Sequence, residues 1–172
     1  KDFKKTKLFI HNEPALAHQL LSKIAAVTAD YLNLQIAAGV NAVQLFDSWA
    51  LSLSWDDYTE FSHNYNVEII SKLNRKDIPV ISFCKGSSVF APLMAEAKPD
   101  VISIDWNADL KNIKHVLPKG IAVQGNLDPH ILYADKSVIK DRIHRLFERM
   151  RGEEGFIFNL GHGIMPDIPF DN

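Results

Sequence analysis

A histidine between two glycines ends an apolar run near the end of the chain, Phe156-Ile157-Phe158-Asn159-Leu160-Gly161-His162-Gly163-Ile164. The run has no helical spacing, so it predicts a short buried strand followed by a tight turn. Glycine lets a ligand approach the main chain closely, and parallel α/β folds bind ligands at the carboxyl ends of their strands. His162 is therefore a candidate ligand-binding residue. The alternative is a loop histidine that only forms local hydrogen bonds.

Four earlier strands are predicted, and each of them also ends in polar or glycine-containing residues. The strands span 42–47, 78–83, 101–105 and 121–126, and a fifth spans 155–160. The loop-forming residues at their ends are Asp47-Ser48, Lys85-Gly86, Asp105-Trp106 and Gln124 to Asp128. Five such ends on one side of a parallel sheet are typical of the active-site face of a TIM barrel. The structural rival is a doubly wound sheet, but the chain contains no phosphate-binding glycine fingerprint.

Helical patterns separate these strands, which predicts right-handed βαβ units and a parallel sheet. The longest pattern runs from Pro14 to Gly39, with an aliphatic stripe at three- and four-residue steps that is interpreted as core. Ser54 is the predicted cap of a second helix, with Asp57 three residues on. Its predicted buried stripe consists of Tyr58, Phe61, Tyr65, Ile69 and Leu73. Further helices are predicted over 89–97, 109–117 and 137–151.

The length of the chain bears on which of these folds it can form. A complete eight-stranded barrel takes about 250 residues, whereas this sequence has 172 and five predicted strands. It therefore forms either a smaller open sheet or the C-terminal part of a barrel. The second interpretation is favoured because the sequence lacks an initiator methionine and ends in mid-phrase on Pro169-Phe170-Asp171-Asn172.

Composition excludes several classes of protein. A net charge of −2 and a single short basic run, Lys1 to Lys7, argue against a nucleic-acid partner. That run is interpreted as a solvated terminal segment. No apolar stretch is long enough to span a bilayer, and no signal peptide is recognisable. One cysteine, Cys84, rules out an internal disulfide framework and fits a reducing compartment, so a cytoplasmic location is expected.

Three phrases carry a family resemblance. They are Ala38-Gly39-Val40-Asn41-Ala42-Val43-Gln44-Leu45-Phe46-Asp47-Ser48-Trp49-Ala50, Val123-Gln124-Gly125-Asn126-Leu127-Asp128-Pro129 and Phe158-Asn159-Leu160-Gly161-His162-Gly163-Ile164. Together, and in this order, with Lys85-Gly86 and Ile104-Asp105-Trp106 between them, they closely resemble the uroporphyrinogen decarboxylase family. The resemblance covers nearly the whole chain and corresponds to the C-terminal half of those enzymes.

The resemblance implies an α/β fold, the (β/α)8 TIM barrel, of which this chain supplies about strands four to eight. Residues 1–172 are then the C-terminal part of one barrel domain, without its N-terminal strands and its final helix. The implied activity is that of a carboxy-lyase of haem biosynthesis. It removes the four acetate carboxyl groups of the tetrapyrrole uroporphyrinogen III to give coproporphyrinogen III. The family uses neither a metal nor an organic cofactor and forms homodimers.

Within this chain the resemblance assigns substrate contacts to Ser48, to His162 and, less directly, to Phe46. A substrate with eight carboxylates needs donors such as a serine hydroxyl, an imidazole and backbone N–H groups. A carboxylate must also stabilise the protonated pyrrole. In the family, that carboxylate and the arginines that hold the propionates lie in the N-terminal half, so the main catalytic residue is unknown here. The chain alone is expected to be inactive.

Two other functions remain open at this stage. A corrinoid-dependent methyltransferase on the same barrel needs a His-x-Cys pair and a second cysteine, whereas Ser82 precedes the lone Cys84 by two positions. A truncated, non-catalytic copy is the other. Individual residues also keep structural alternatives: Asp47 and Asp105 as N-caps, Asp128 as a turn cap, and Lys85 as a solvated charge. The other six histidines are interpreted as ordinary.

Overall fold

The computed structural model describes residues 2–172 and contains one sheet of five parallel strands in the order β1-β2-β3-β4-β5. The strands are β1 (Val43–Asp47), β2 (Val80–Cys84), β3 (Val101–Ser103), β4 (Ala122–Leu127) and β5 (Phe156–Leu160). Each of the five lies within two residues of its predicted bounds. Strands adjacent in the sequence are also adjacent in the sheet, as they are in a barrel, whereas a doubly wound sheet reverses its order at a switch point.

Within residues 2–172, seven α-helices accompany the sheet. They are α1 (Lys4–Asn12), α2 (Pro14–Ala37), α3 (Trp55–Tyr58), α4 (Asn64–Ser71), α5 (Ser87–Met94), α6 (Leu110–Val116) and α7 (Lys136–Arg149). Short 3-10 turns span Ala50–Ser52, Ala95–Ala97 and Pro129–Tyr133. Among residues 2–172, no helix combines the length and the apolar character needed to cross a membrane.

The first helix corrects the interpretation of the N-terminal basic run. The run was expected to be a solvated terminal segment, but its lysines from Lys4 onward belong to α1. Lys4 and Lys5 are exposed as expected and Lys7 is half-buried, whereas Ile10 on the same helix is only 5% exposed and packs with Ala17 and Phe61. Lys1 lies outside the described residues. The basic residues therefore form the outer face of an amphipathic helix.

The register of the sheet separates its two faces. Phe46 pairs with Phe83, Phe83 with Ser103, and Ser103 with Gln124, so these side chains lie on one face. The alternate residues, such as Ile102, Ile104 and Val123, lie on the opposite face and pack under α5, α6 and α7 in the main core. The helices thus cover one face of the sheet. The other face is open, and a site can form on it near the carboxyl ends of the strands.

Helix α2 contradicts the prediction that its aliphatic stripe is core. The stripe residues are about half exposed or more: Leu16, Leu20, Ile24, Val27, Tyr31 and Leu34. The buried face instead carries Ala17, Ala25, Ala29 and Leu32, and it packs against β1 and α4. Small side chains allow the closer approach of two helices, so the alanine face gives the tighter contact. The helix has two apolar faces, and the spacing of its large aliphatic residues predicted the wrong one to be buried.

The helix after Ser54 confirms its predicted cap. The Ser54 hydroxyl accepts a hydrogen bond from the backbone N–H of Asp57 at 3.1 Å. Between α3 and α4 the backbone forms a π-helical turn, Thr59–His63, which was not predicted. Such a turn shifts the following residues around the helix axis, yet Phe61 and Ile69 remain buried as expected.

Candidate active site

The open face of the sheet carries a cleft of about 340 Å³ at the carboxyl ends of the strands. Its lining residues are Gln44, Phe46, Ser48, Phe83, Ser103, Asn159, Leu160, His162 and Gly163. All three predicted substrate-contacting residues, Phe46, Ser48 and His162, are in this set. They come from opposite edges of the sheet, because β1 and the turn after it supply the first two and the loop after β5 supplies the third. The fold therefore brings together residues more than 110 positions apart in the sequence.

His162 is held by aromatic rings and by its own loop. Its ring meets Phe83 and Trp106 edge-on, with centroid distances of 5.7 and 6.2 Å. The backbone N–H of Gly163 donates to His162 Nδ1 at 2.7 Å. Because Nδ1 accepts, the proton of the neutral imidazole resides on Nε2. His162 thus presents an N–H donor, which suits a carboxylate ligand.

The two glycines beside His162 have different surroundings. A Cβ at position 161 would lie 2.6 Å from the backbone nitrogen of Trp106 and 3.1 Å from the carbonyl carbon of Asp105. The N–H of Gly161 also donates to the carbonyl of Leu127 at 2.7 Å. At position 163 nothing lies within 4 Å of the added atom. Gly161 is therefore required for close packing of the loop, whereas Gly163 is not.

Phe46 and Ser48 form the opposite side of the cleft. The Phe46 side chain is 64% exposed, and its ring meets that of Phe83 edge-on at 5.9 Å. Ser48 lies in the turn that directly follows β1. An exposed aromatic ring beside a hydroxyl donor can accept a ligand that has an apolar ring and polar substituents.

Polar side chains on the inward face of the strands were not singled out as site residues by the sequence reasoning. Gln44, Ser103 and Asn159 line the cleft. Ser103 accepts a hydrogen bond from buried Gln124 at 3.2 Å. The available signal was a polar residue within each of three otherwise largely apolar strands, because buried parallel strands are usually apolar throughout.

The acidic residues at the strand ends do not face the cleft. Asp47 accepts a hydrogen bond from Ser62 in the π-helical turn. Asp128 accepts from the N–H of His130 at 2.9 Å, as expected of a turn cap. Asp105, 1% exposed, accepts from Gly86 at 2.7 Å and from Ser88, and it also accepts from the backbone N–H of Asn107 at 3.3 Å, so a local cap is only part of its role. Lys85 is not among the residues that line the cleft.

Comparison with known proteins decides between the families considered for this architecture. The family described as uroporphyrinogen decarboxylase (URO-D) matches residues 1–172, the whole sequence. The chain belongs to the uroporphyrinogen decarboxylase family.

Individual uroporphyrinogen decarboxylases match over nearly the whole chain. The enzyme of Protochlamydia amoebophila is 51% identical over 168 residues, which is 98% of this chain and 46% of that protein. The enzyme of Pelobacter propionicus is 43% identical over 172 residues, which is 100% of this chain and 51% of that protein. The chain thus spans about half the length of these curated relatives. The resemblance based on the three sequence phrases is confirmed.

A solved structure agrees on the fold. A chain from Listeria monocytogenes, described as a vitamin-B12 independent methionine synthase, superposes with a TM-score of 0.60 at 17% identity. The superposition covers 88% of this chain and 51% of that one, and at such low identity it shows the fold alone. The uroporphyrinogen decarboxylase fold is the (β/α)8 barrel, and this chain forms five of its consecutive parallel strands. The predicted fold class is confirmed.

Two buried ionisable groups lie on the helix-covered face. Burial raises the pKa of the Cys84 thiol to about 12, although a hydrogen bond with Tyr58 acts in the opposite direction. Burial also raises the pKa of the Tyr58 hydroxyl far above its usual value, and nearby Cys84 adds to this rise. Both groups are therefore neutral at physiological pH and contribute to packing. Within residues 2–172, no three metal-ligating side chains are grouped around a common point.

His63 differs from the surface histidines in its environment. It is 4% exposed, and burial lowers its pKa although Glu96 acts in the opposite direction. Five other histidines pair with nearby carboxylates at the surface: His11, His18, His115, His130 and His144. None of these six lines the cleft, which leaves His162 as its histidine.

Proposed function

We propose that this chain forms the C-terminal part of a uroporphyrinogen decarboxylase, a carboxy-lyase of haem biosynthesis. The whole enzyme acts on the tetrapyrrole uroporphyrinogen III, removes its four acetate carboxyl groups and yields coproporphyrinogen III. The observation that supports this most directly is the cleft that brings Phe46, Ser48 and His162 together. Family membership over the whole sequence supports it independently.

Each of these three residues has a role that matches the substrate's chemistry. The His162 Nε2–H and the Ser48 hydroxyl donate to carboxylates, and hydrogen bonds to a charged acceptor are the stronger kind. The exposed ring of Phe46 packs on an apolar pyrrole face. Four rings with charged substituents need this combination of apolar surface and convergent donors.

The reaction itself needs a carboxylate close to the reacting pyrrole. A proton adds to a ring carbon, and the C–C bond to the carboxyl group then breaks. Its electron pair flows into the cationic ring as CO₂ leaves. A second proton adds to the resulting methylene carbon to give a methyl group, and the first proton then leaves the ring carbon, which restores the pyrrole. The net change is one proton taken up and one CO₂ released, with no net oxidation and no need for a metal or an organic cofactor. Among the described residues that line the cleft, none is aspartate or glutamate. The carboxylate that stabilises the cation accordingly belongs to the N-terminal half of the enzyme.

The incomplete cleft implies that the chain is inactive alone. Its strands correspond to strands four to eight of the barrel, and β1 and β5 form the two edges of the sheet. Unpaired parallel edges promote association with other chains. The full enzyme is a cytoplasmic homodimer in this proposal, with residues 1–172 as the C-terminal part of one domain.

The substrate contacts are tested in the protein expressed from the whole gene. We expect Ser48→Ala and His162→Asn to raise the KM for uroporphyrinogen III at least tenfold each, since a charge-assisted hydrogen bond contributes about 1.5–3 kcal/mol. The matched controls are Ser71→Ala and His144→Asn, on exposed helix positions outside the cleft. Wild-type kcat/KM in both cleft variants would contradict the proposed contacts.

The inactivity of the chain alone has a separate test. The purified 172-residue protein, of 19.4 kDa, is assayed for coproporphyrinogen formation after its intact mass has been measured. We expect no turnover. Steady decarboxylation by a monomer of that mass would show that the chain is a complete enzyme, with its own acid.

A further inference from the structure

Asp105 is a buried carboxylate at the point where several loops of the site meet. It is 1% exposed, and none of the ion pairs found among residues 2–172 includes it. A buried carboxylate without a cation must be satisfied by hydrogen-bond donors. The donors that satisfy Asp105 therefore show what it holds in place.

Two of the three donors to the carboxylate come from the loop after β2, and the third is the backbone N–H of Asn107, which donates to Oδ1 at 3.3 Å. Gly86 donates its backbone N–H to Oδ2 at 2.7 Å, and the Ser88 hydroxyl donates to Oδ1. In the other direction, the Asp105 N–H donates to the hydroxyl of Ser87 at 2.8 Å. Gly86 has a φ of +92°, and a Cβ there would lie 2.8 Å from the Leu51 side chain, so only glycine fits. The loop is thus fixed to one side chain by two donors.

The main chain of Asp105 contacts the loops after β4 and β5. The Asn126 amide donates to the Asp105 carbonyl at 2.9 Å and to the Ala108 carbonyl at 2.8 Å. The Gly161 backbone packs directly on the peptide between Asp105 and Trp106. A displacement of Asp105 would consequently be transmitted to the segment that carries His162.

We propose that Asp105 is a positioning residue for the active site: its carboxylate fixes the loop after β2, and its peptide supports the Gly161-His162-Gly163 turn. Its effect on activity depends on the function proposed above, whereas its effect on the position of His162 does not. The residue does not touch substrate. It acts through the geometry of His162 between the rings of Phe83 and Trp106.

The matched control is an aspartate on the same β3–α6 connection. Asp109 caps α6 by accepting from the Asn112 N–H at 3.1 Å and pairs with Arg149 of α7 at 3.3 Å, and no hydrogen bond or ion pair found among residues 2–172 joins its side chain to the loops after β2 or β5. Asp109→Ala therefore removes one side-chain hydrogen bond, one partly exposed ion pair and some stability without affecting the hydrogen bonds of Asp105. Asp105→Asn keeps the size of the side chain, and Ser88→Ala removes one donor while leaving the carboxylate in place.

The first experiment needs no activity. Ring protons of His162 in the protein expressed from the whole gene are assigned by NMR with His162→Asn as reference, and they carry ring-current shifts from Phe83 and Trp106. We expect these resonances to move in Asp105→Asn and, less far, in Ser88→Ala. We also expect amide exchange of Gly86 to accelerate at least tenfold, because a hydrogen bond to a charged group is lost or weakened.

For Asp109→Ala the His162 resonances stay at their wild-type positions. Unchanged His162 resonances in both loop variants, or equal movement in the control, would overturn the proposal. Either result would reduce Asp105 to a residue that only contributes to general stability.

The second experiment measures decarboxylation by the protein expressed from the whole gene. If His162 binds a substrate carboxylate, Asp105→Asn raises KM severalfold more than it lowers kcat, and Asp109→Ala changes neither. Displaced His162 resonances without a change in kinetics would support the structural inference and contradict the role of His162 in the proposed function. The two proposals are thus separated by their outcomes.

Discussion

Adding one methyl group to Gly161 should destabilise the protein, whereas the same addition at Gly163 should not. The structure places the new Cβ at position 161 at 2.6 Å from the Trp106 nitrogen, 3.1 Å from the Asp105 carbonyl carbon and 3.2 Å from the Trp106 Cα. All three are backbone atoms, which cannot rotate away as the end of a side chain can. Position 163 is open, with nothing within 4 Å.

The difference between the two variants can be estimated from these contacts. Both lose the conformational freedom of an unfolded glycine, which favours the folded state by about 0.4–1 kcal/mol. Gly161→Ala additionally forces backbone atoms apart, and overpacking of this kind costs about 1–3 kcal/mol. Because the entropic gain is common to both, Gly161→Ala should be about 1–3 kcal/mol less stable than Gly163→Ala.

Urea denaturation followed by circular dichroism measures this difference directly. With a slope of about 1–3 kcal/mol per molar urea, the midpoints of the two variants should differ by roughly 1 M. The paired design removes the effect of helix or strand propensity, since the two positions are neighbours of the same histidine. Equal midpoints, with the His162 ring resonances unchanged in both variants, would refute the argument from close backbone packing.

Further perturbations test the core and the buried ionisable groups. On α2, Ala29→Leu should cost about 1–3 kcal/mol by overpacking, whereas Val27→Gln on the exposed face should change the urea midpoint little; the reverse order would invert the assignment of the two faces. Because burial lowers the pKa of His63, acid below about pH 6.5 protonates the unfolded state first. The free energy of unfolding should therefore fall as the pH is lowered from 7.5 to 5.5, and it should fall less in His63→Gln than in the wild type. Identical pH profiles of the two proteins would refute this. Burial raises the pKa of Cys84 from 9.0 to about 12, so its contribution to stability is complete below pH 9 and is lost as the pH rises toward 12. In urea titrations from pH 8 to 10, the free energy of unfolding should fall more steeply with pH in the wild type than in Cys84→Ala. The difference between the two slopes should be at most 1.36 kcal/mol per pH unit.

The strands and their ends were predictable because their signals are local. Each strand is a short apolar run bounded by turn residues, so its place could be found without knowing its neighbours. His162 was singled out for the same reason, since it lies between two glycines just after a strand, whereas the role of Ser48 came from the family resemblance. Their meeting in one cleft followed from the parallel order of the strands, because the carboxyl ends of parallel strands lie at one edge.

The misinterpreted face of α2 shows where local signals are insufficient. Its aliphatic stripe has the spacing of a core face, but the alanine face makes the contact with β1 and α4. Periodicity detects an apolar stripe and cannot decide between two of them. That choice depends on the distance between packed elements, which is a property of the tertiary structure.

The role of Asp105 was also beyond the sequence. An aspartate after a strand is compatible with a cap, a ligand or a buried acceptor, and the three differ only in which donors surround it. One donor, the Asn107 N–H, is local, but the other two, Gly86 and Ser88, lie 17 to 19 residues earlier in the chain. Nothing in the local sequence around Asp105 indicates that they would reach it.

The sole cysteine of the chain allows local opening of the folded protein to be measured without an added label. Cys84 is 1% exposed, with its Sγ 3.4 Å from the Met94 sulfur, at the end of the strand that leads into Lys85. A thiol reagent attacks only an accessible thiolate, so alkylation must wait for β2 to separate from the helices that cover it. When reclosing is faster than labelling, the labelling rate equals the opening equilibrium constant times the rate for a free thiol. Mass spectrometry of the alkylated protein then gives the free energy of opening at this strand in plain buffer, without denaturant and without an introduced label.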